Sequence, residues 1–210
     1  MMPGSPKIDH ALDHCATHAA GEGISLSEAL DHTGPNAFCF GAFLLAVPFV
    51  QPVPLGPLTM VCGATFIALG WQMATGQSRP RLPKQAGELR IQGRFWLAMI
   101  GFSRRLLAFC RPFTRERLQD WVSGPGGQRR VGWLILTGGA LLAIPVANLP
   151  LNNLLPALMI IFACLGWLER DGLMILVSLA WGALTIVYFT VLALALVFFG
   201  RQIFTWLGWA

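Results

Sequence analysis

The chain carries one apolar pattern twice. Leu44-Leu45-Ala46-Val47-Pro48 returns as Leu141-Leu142-Ala143-Ile144-Pro145. Pro54-Leu55, Leu58, Phe66 and Leu69-Gly70-Trp71 return as Pro150-Leu151, Leu154, Phe162 and Leu165-Gly166-Trp167. The offset is 97 in the first block and 96 in the rest, so the copies differ by a one-residue gap. Each copy holds an apolar arm, a proline-containing break and a second apolar arm. Duplicated hairpins with broken middles are one way in which membrane transporters build a site near the bilayer midplane. The expected fold is therefore an all-α integral membrane protein, with two homologous Pro-broken hairpins around a pseudo-symmetric centre.

Composition points the same way. Hydrophobic residues make up 55% of the chain and charged residues 12%, and its mean hydropathy is +0.60. A soluble domain has roughly a quarter of its residues charged. The first apolar segment starts near Ala37, behind an acidic polar stretch, so no basic signal peptide is expected and the membrane segments themselves direct insertion. Cys15, Cys39, Cys62, Cys110 and Cys164 form no CxxC pair. They read as reduced, packed thiols, and neither a metal nor a cofactor is expected.

Five segments follow. Residues 1–36 are polar, with His10, His14 and His18 on one face if helical and a capping box from Ser25 to Glu28 opening a short helix. Residues 37–74 form the first hairpin. Its arms, 37–50 and 58–73, are shorter than the ~20 residues of a full crossing, and its break cannot stay helical because proline lacks the N–H. Residues 75–130 are a basic connector. Residues 131–172 form the second hairpin, with arms 131–147 and 154–168. Residues 173–210 begin with Leu173–Phe199, which holds no charge and is long enough to span, followed by an aromatic tail. For the breaks, two readings stay open: tight turns at the far surface, or re-entrant hairpins meeting inside the bilayer, where protein or water must cover the freed backbone. The short arms favour re-entrant hairpins.

Twelve of the 15 Lys and Arg residues lie between Arg79 and Arg130, against Glu88, Glu116 and Asp120. That excess places the connector, and the N-terminus with it, in the cytoplasm. Within it, Phe95–Ile100 followed by Arg104, Arg105 and Arg111 reads as an interfacial amphipathic helix holding anionic lipid headgroups. Few aromatics interleave with these charges, so no nucleic-acid partner is expected.

Three groups are candidates for contact with a substrate or ion. Gln51, Pro54 and Gly56 occupy the first break. Asn148, Asn152 and Asn153 occupy the second, where polar groups at membrane depth demand partners; at a surface turn they would cap the next helix instead. Glu169, Arg170 and Asp171 form a charged group between two apolar arms. They offer a proton site and an anion fork, or else a turn with an internal ion pair and Gly172 at positive φ. GxSxG, HExxH and P-loop motifs are missing from the sequence, so no enzyme is expected.

Several stretches resemble the ExoD family of exopolysaccharide synthesis proteins. They are the Pro52-Val-Pro-Leu-Gly-Pro57 break with Leu69-Gly-Trp-Gln72, then Arg79-Pro-Arg-Leu-Pro83, Asn153-Leu-Leu-Pro156-Ala157 and Leu165-Gly-Trp-Leu-Glu169-Arg170-Asp171-Gly172. The likeness runs from about Ser25 to Phe199. It implies a bacterial inner-membrane protein tied to exopolysaccharide production, and names no chemistry. A transporter or flippase of a lipid-linked or anionic substrate or coupled ion is the first expectation. An accessory scaffold of the synthesis and export machinery is the second, and a lipid-phosphate enzyme the third. A homodimer would cover the breaks.

Overall fold

A computed structural model describes residues 36–50, 57–77, 80, 101, 105, 108, 112, 115, 117–144 and 151–206. The polar N-terminal segment and Gln51, Pro54, Gly56, Asn148, Arg104 and Arg111 lie outside them. So does nearly all of the expected amphipathic helix, although Gly101, Arg105 and Ala108 are helical and exposed. Every regular element among the described residues is a helix: α1 (Ala37–Ala46), a 3-10 turn (Val47–Val50), α2 (Pro57–Ala74), α3 (Gln119–Val122), α4 (Gly124–Leu142), α5 (Leu154–Leu168) and α6 (Gly172–Trp206).

Local chemistry sets these limits. All ten residues of α1 are apolar or glycine and all ten are buried; the chain tightens into the 3-10 turn around Pro48, whose missing N–H cannot continue the ladder. Pro57 opens α2, where a helix leaves its first N–H groups unbonded in any case. Pro125 does the same for α4. That helix begins at Gly124, inside the segment read as connector; its opening, Gly-Pro-Gly-Gly-Gln-Arg-Arg, carries no hydropathy signal to mark it. α6 continues through Arg201 to Trp206, beyond the charge-free stretch.

Antiparallel packing orders the helices. A methyl group on Gly70 of α2 would lie 2.4 Å from the Leu136 backbone nitrogen and 2.6 Å from the Gly132 carbonyl oxygen of α4. One on Gly139 would lie 2.5 Å from Phe66 Cβ and 3.0 Å from the Gly63 carbonyl oxygen. Two glycine pairs, one near each end of the seam, thus bring the backbones of α2 and α4 into contact, as small residues do between membrane helices. α5 packs on α1, α4 and α6. Its Met159 faces Gly182 and its Gly166 faces Ile175, which fixes the register of α5 against α6. The buried stripe of α6 is Met174, Ile175, Ser178, Gly182 and Thr185, at the 3–4 spacing of one helix face.

Cys39, in the first turn of α1, lies 3.8 Å through sulfur from Met73 in the last turn of α2. The starts of α1, α4 and α6 and the ends of α2 and α5 therefore share one end of the bundle, here called the base. The end of α1, the start of α2, the end of α4 and the start of α5 share the opposite end, where Gly63 abuts Ala143.

Candidate functional site

Two polar turns bound α5, and they stand at opposite ends of it. At the break end, Leu151, Asn152 and Asn153 form the turn into the helix. Leu151 takes a left-handed φ of +67°, and its carbonyl accepts from the Leu155 N–H at 3.1 Å. Asn153 occupies the N-cap position with a helical backbone and makes no side-chain cap. The capping role open to these asparagines at a surface turn is thus not the one Asn153 performs. Both asparagines are half-buried.

At the base, α5 closes on Glu169, Arg170 and Asp171. Arg170 takes φ +52°, and the Asp171 N–H reaches back to the Gly166 carbonyl at 3.0 Å, the six-to-one bond of a Schellman ending. The left-handed position therefore falls on Arg170, which is exposed, and not on Gly172. Gly172 answers a different constraint: a methyl group there would lie 2.5 Å from the Leu118 carbonyl oxygen. Glu169 is half-buried, with its Oε1 shielded from solvent.

Asp171 is fully buried. Its Oδ1 caps α6 by accepting from the Leu173 N–H at 2.9 Å, and also accepts from Arg117 Nε at 3.2 Å. Oδ2 accepts from the Arg115 N–H at 3.0 Å. The Arg117 carbonyl in turn accepts from the Gly172 N–H at 2.9 Å. The ion pair expected within the turn instead runs across 54 residues, from Asp171 to Arg117. It fastens the last stretch of the basic connector to the head of α6. Sequence reasoning passes over Arg115 and Arg117 because they sit among ten other basic residues; their alternate spacing before a polar turn is the only cue.

Around this latch the base is aromatic and basic. Trp71 and Trp133, both exposed, meet edge to face with centroids 6.1 Å apart. The Arg130 guanidinium lies 5.3 Å over the Trp121 ring, and its Nη1 donates to the Asp120 carbonyl at 2.8 Å. Arg115, Arg129 and Arg170 are exposed at the same end. Amphipathic rings and cations in this arrangement suit an interface between an apolar phase and water.

The described candidate residues thus divide into two groups. Asn152 and Asn153 share the break, Glu169, Arg170 and Asp171 share the base, and the length of α5, about 22 Å for its fifteen residues, separates them. Fold and site together define a small all-helical protein with, among the described residues, one helix long and apolar enough to cross a membrane, Gly172–Phe198. A model of the ExoD family, described as exopolysaccharide synthesis, matches residues 8–191. The chain is also 31% identical over 175 residues to Protein ExoD of Rhizobium meliloti (strain 1021), covering 83% of this chain and 72% of that one. It belongs to the ExoD family. No solved structure matches it.

Proposed function

We propose that this protein supports exopolysaccharide synthesis from the bacterial inner membrane as a small transporter or flippase. Its cargo would be a lipid-linked or anionic substrate, or a coupled ion, passing where the two breaks adjoin. The observation that carries this reading is the mismatch between α5 and α6. The register set by Gly166 with Ile175 and Met159 with Gly182 brings the start of α5 level with Val187. Apolar α6 continues to Phe198, about 16 Å farther at the α-helical rise. Along that extension Val191, Leu194, Leu196, Val197 and Phe198 are all exposed, Phe198 by 70%. Water does not tolerate such a surface on every side of a helix, and a hydrocarbon core of about 30 Å does. With α6 spanning that core from Gly172, the start of α5 lies about 22 Å in, short of the far boundary by about 8 Å.

The helix directions support the same picture. Both copies run from the base to a break and back, so they are related as parallel repeats. α2 packs on α4 while α5 packs on α1, the pairing that exchange of the two copies requires. The positive-inside rule puts the base in the cytoplasm, and the C-terminus outside.

A specific observation favours the accessory reading as well. Asp171 spends its carboxylate on internal donors, whereas Arg115, Arg129, Arg130 and Arg170 face outward on one surface. That surface would dock an acidic partner of the synthesis machinery.

Complementation of a strain lacking its own family member separates the two. Under the transport reading, Asn152→Leu and Asn153→Leu abolish exopolysaccharide while the protein accumulates normally, and Arg129→Gln with Arg130→Gln is tolerated. The reverse pattern would replace transport by docking.

A further inference from the structure

Arginine, tryptophan and aliphatic residues are layered in one order on two neighbouring helices. Going up α4 from its second turn, away from the base, the exposed positions are Arg129 and Arg130, then Trp133, then Ala140, with exposed Ile144 just past its end. Arg129 and Arg130 precede Trp133 by four and three residues, which puts all three on one helix face. On α2 the order is Thr75 just below the helix, then Trp71, Ala64 and Met60, all exposed. Polar groups give way to rings at one height on both, where Trp71 and Trp133 meet edge to face. Packing relates that height to α6: Gly70 meets Gly132 and Leu136, Gly138 meets Pro156 and Ile160, and Met159 meets Gly182. Followed through these pairs, Trp71 and Trp133 stand level with about Ser178. Trp167 and Trp181 fall within about 6 Å of that level. Four helices thus contribute to one tryptophan girdle, as at a membrane–water boundary.

The girdle divides α6 in the proportions of a bilayer. Ser178 to Phe198 is about 30 Å at the helical rise, the thickness of the hydrocarbon core. Gly172 to Ser178 is about 9 Å, close to the roughly 5–8 Å of one headgroup region. At that lower level Arg115, Arg129, Arg130 and Arg170 are exposed, and Asp120 is the only exposed carboxylate there among the described residues. Asp171 is buried and already paired with Arg117. The Arg130 guanidinium lies over Trp121 and gives one of its five N–H donors to the Asp120 carbonyl. It is therefore held in place with donors to spare. We propose that Arg129 and Arg130, flanked by Trp121 and Trp133, bind the phosphate of an anionic lipid in the cytoplasmic leaflet. Guanidinium suits phosphate geometrically and by charge, and the rings set their apolar bodies toward the acyl chains. The inference rests on the membrane placement proposed above, and not on transport. Measured from the girdle instead of from Gly172, the start of α5 lies about 13 Å into the core, near its midplane. Since α6 itself holds the chain in the bilayer, the site selects lipid without anchoring the protein, in keeping with a tolerated loss of both arginines.

The test uses the full chain reconstituted in phosphatidylcholine bilayers, with circular dichroism confirming that each variant is helical. Electron paramagnetic resonance reads the fraction of spin-labelled phosphatidylglycerol, and separately of spin-labelled phosphatidylcholine, immobilised by the protein. Phosphatidylglycerol should be preferred. A basic residue near an anionic surface is worth about fivefold, so Arg129→Gln with Arg130→Gln should lower the preference severalfold. Salt near 1 M, where the Debye length is about 3 Å, should lower it too. Nitroxides on Arg129→Cys and on Ala140→Cys, with the native cysteines replaced, supply the depth. Position 129 should meet a water-soluble relaxant, and position 140 the oxygen dissolved in the bilayer. Equal immobilisation of the two lipids, or a preference indifferent to the double change, with position 140 in lipid, would overturn the headgroup site. The arginine pair would then fall to an acidic protein partner, while the membrane placement stands. Position 140 open to the water-soluble relaxant would overturn both the site and the placement on which it rests.

Discussion

Asp171, which follows the end of α5, receives two donors from the connector and one from the head of α6, and this one side chain joins the three segments. Asp171→Ala removes a helix cap, about 1 kcal/mol, and the hydrogen bonds of a charged acceptor, about 1.5–3 kcal/mol. The Arg117 side chain is 42% exposed, so water takes up part of its loss. A net destabilisation of roughly 2–4 kcal/mol is expected, read as a lower thermal midpoint in detergent. Arg170→Gly should do no such harm. Arg170 is exposed and left-handed, a conformation that costs a side chain about 1–2 kcal/mol and glycine almost nothing; its midpoint should stay level or rise. The charged turn was legible in the sequence as a charged turn. Which residue took the positive φ was not, because that depends on the Leu118 carbonyl approaching Gly172 from far along the chain.

The seam of α2 and α4 rests on the absence of side chains. Gly132→Ala would place a methyl group 2.5 Å from the Ala74 backbone nitrogen, and backbone does not yield as a flexible side chain does. Overpacking of this kind costs about 1–3 kcal/mol, so Gly132→Ala should lower the thermal midpoint clearly. Gly126→Ala is the control. Gly126 is in the exposed first turn of α4, with Arg130 Nη2 the nearest atom to a new methyl group at 3.8 Å. Replacing a helical glycine there should gain roughly 0.5–1 kcal/mol. The apolar arms were readable from hydropathy, because apolar residues mark buried helix. The polar opening of α4 at Gly124 was not, since exposed helix and exposed loop share one composition. Ser178 shows a third limit: a lone hydroxyl in an apolar run gave no sign that it would donate across helices to the Met159 carbonyl at 2.7 Å.

The whole molecule sets short helices beside a long one. α1 has ten residues and α5 fifteen, about 15 and 22 Å, and neither reaches across a hydrocarbon core of about 30 Å. α6 does. The sequence showed this inequality of lengths at once, and left open whether the breaks turn at the surface or within the bilayer. Only the register of α5 on α6, fixed by Gly166 and Gly182 against residues of the facing helix, relates the two. It also parts the asparagines from the charged turn, which the linear sequence allowed to be drawn together.

The depth of the second break decides whether the protein can offer a path. With the native cysteines replaced, a single cysteine at Asn153 is exposed to a membrane-impermeant thiol reagent in right-side-out and in inverted vesicles, with a cysteine at Trp209 as the outer marker. A break held within the bilayer and opening to water predicts labelling of position 153 from the cytoplasmic side or from both, while position 209 reacts only from outside. Labelling of position 153 from outside alone, at the rate of position 209, would make the hairpins complete crossings with surface turns and contradict a path between them.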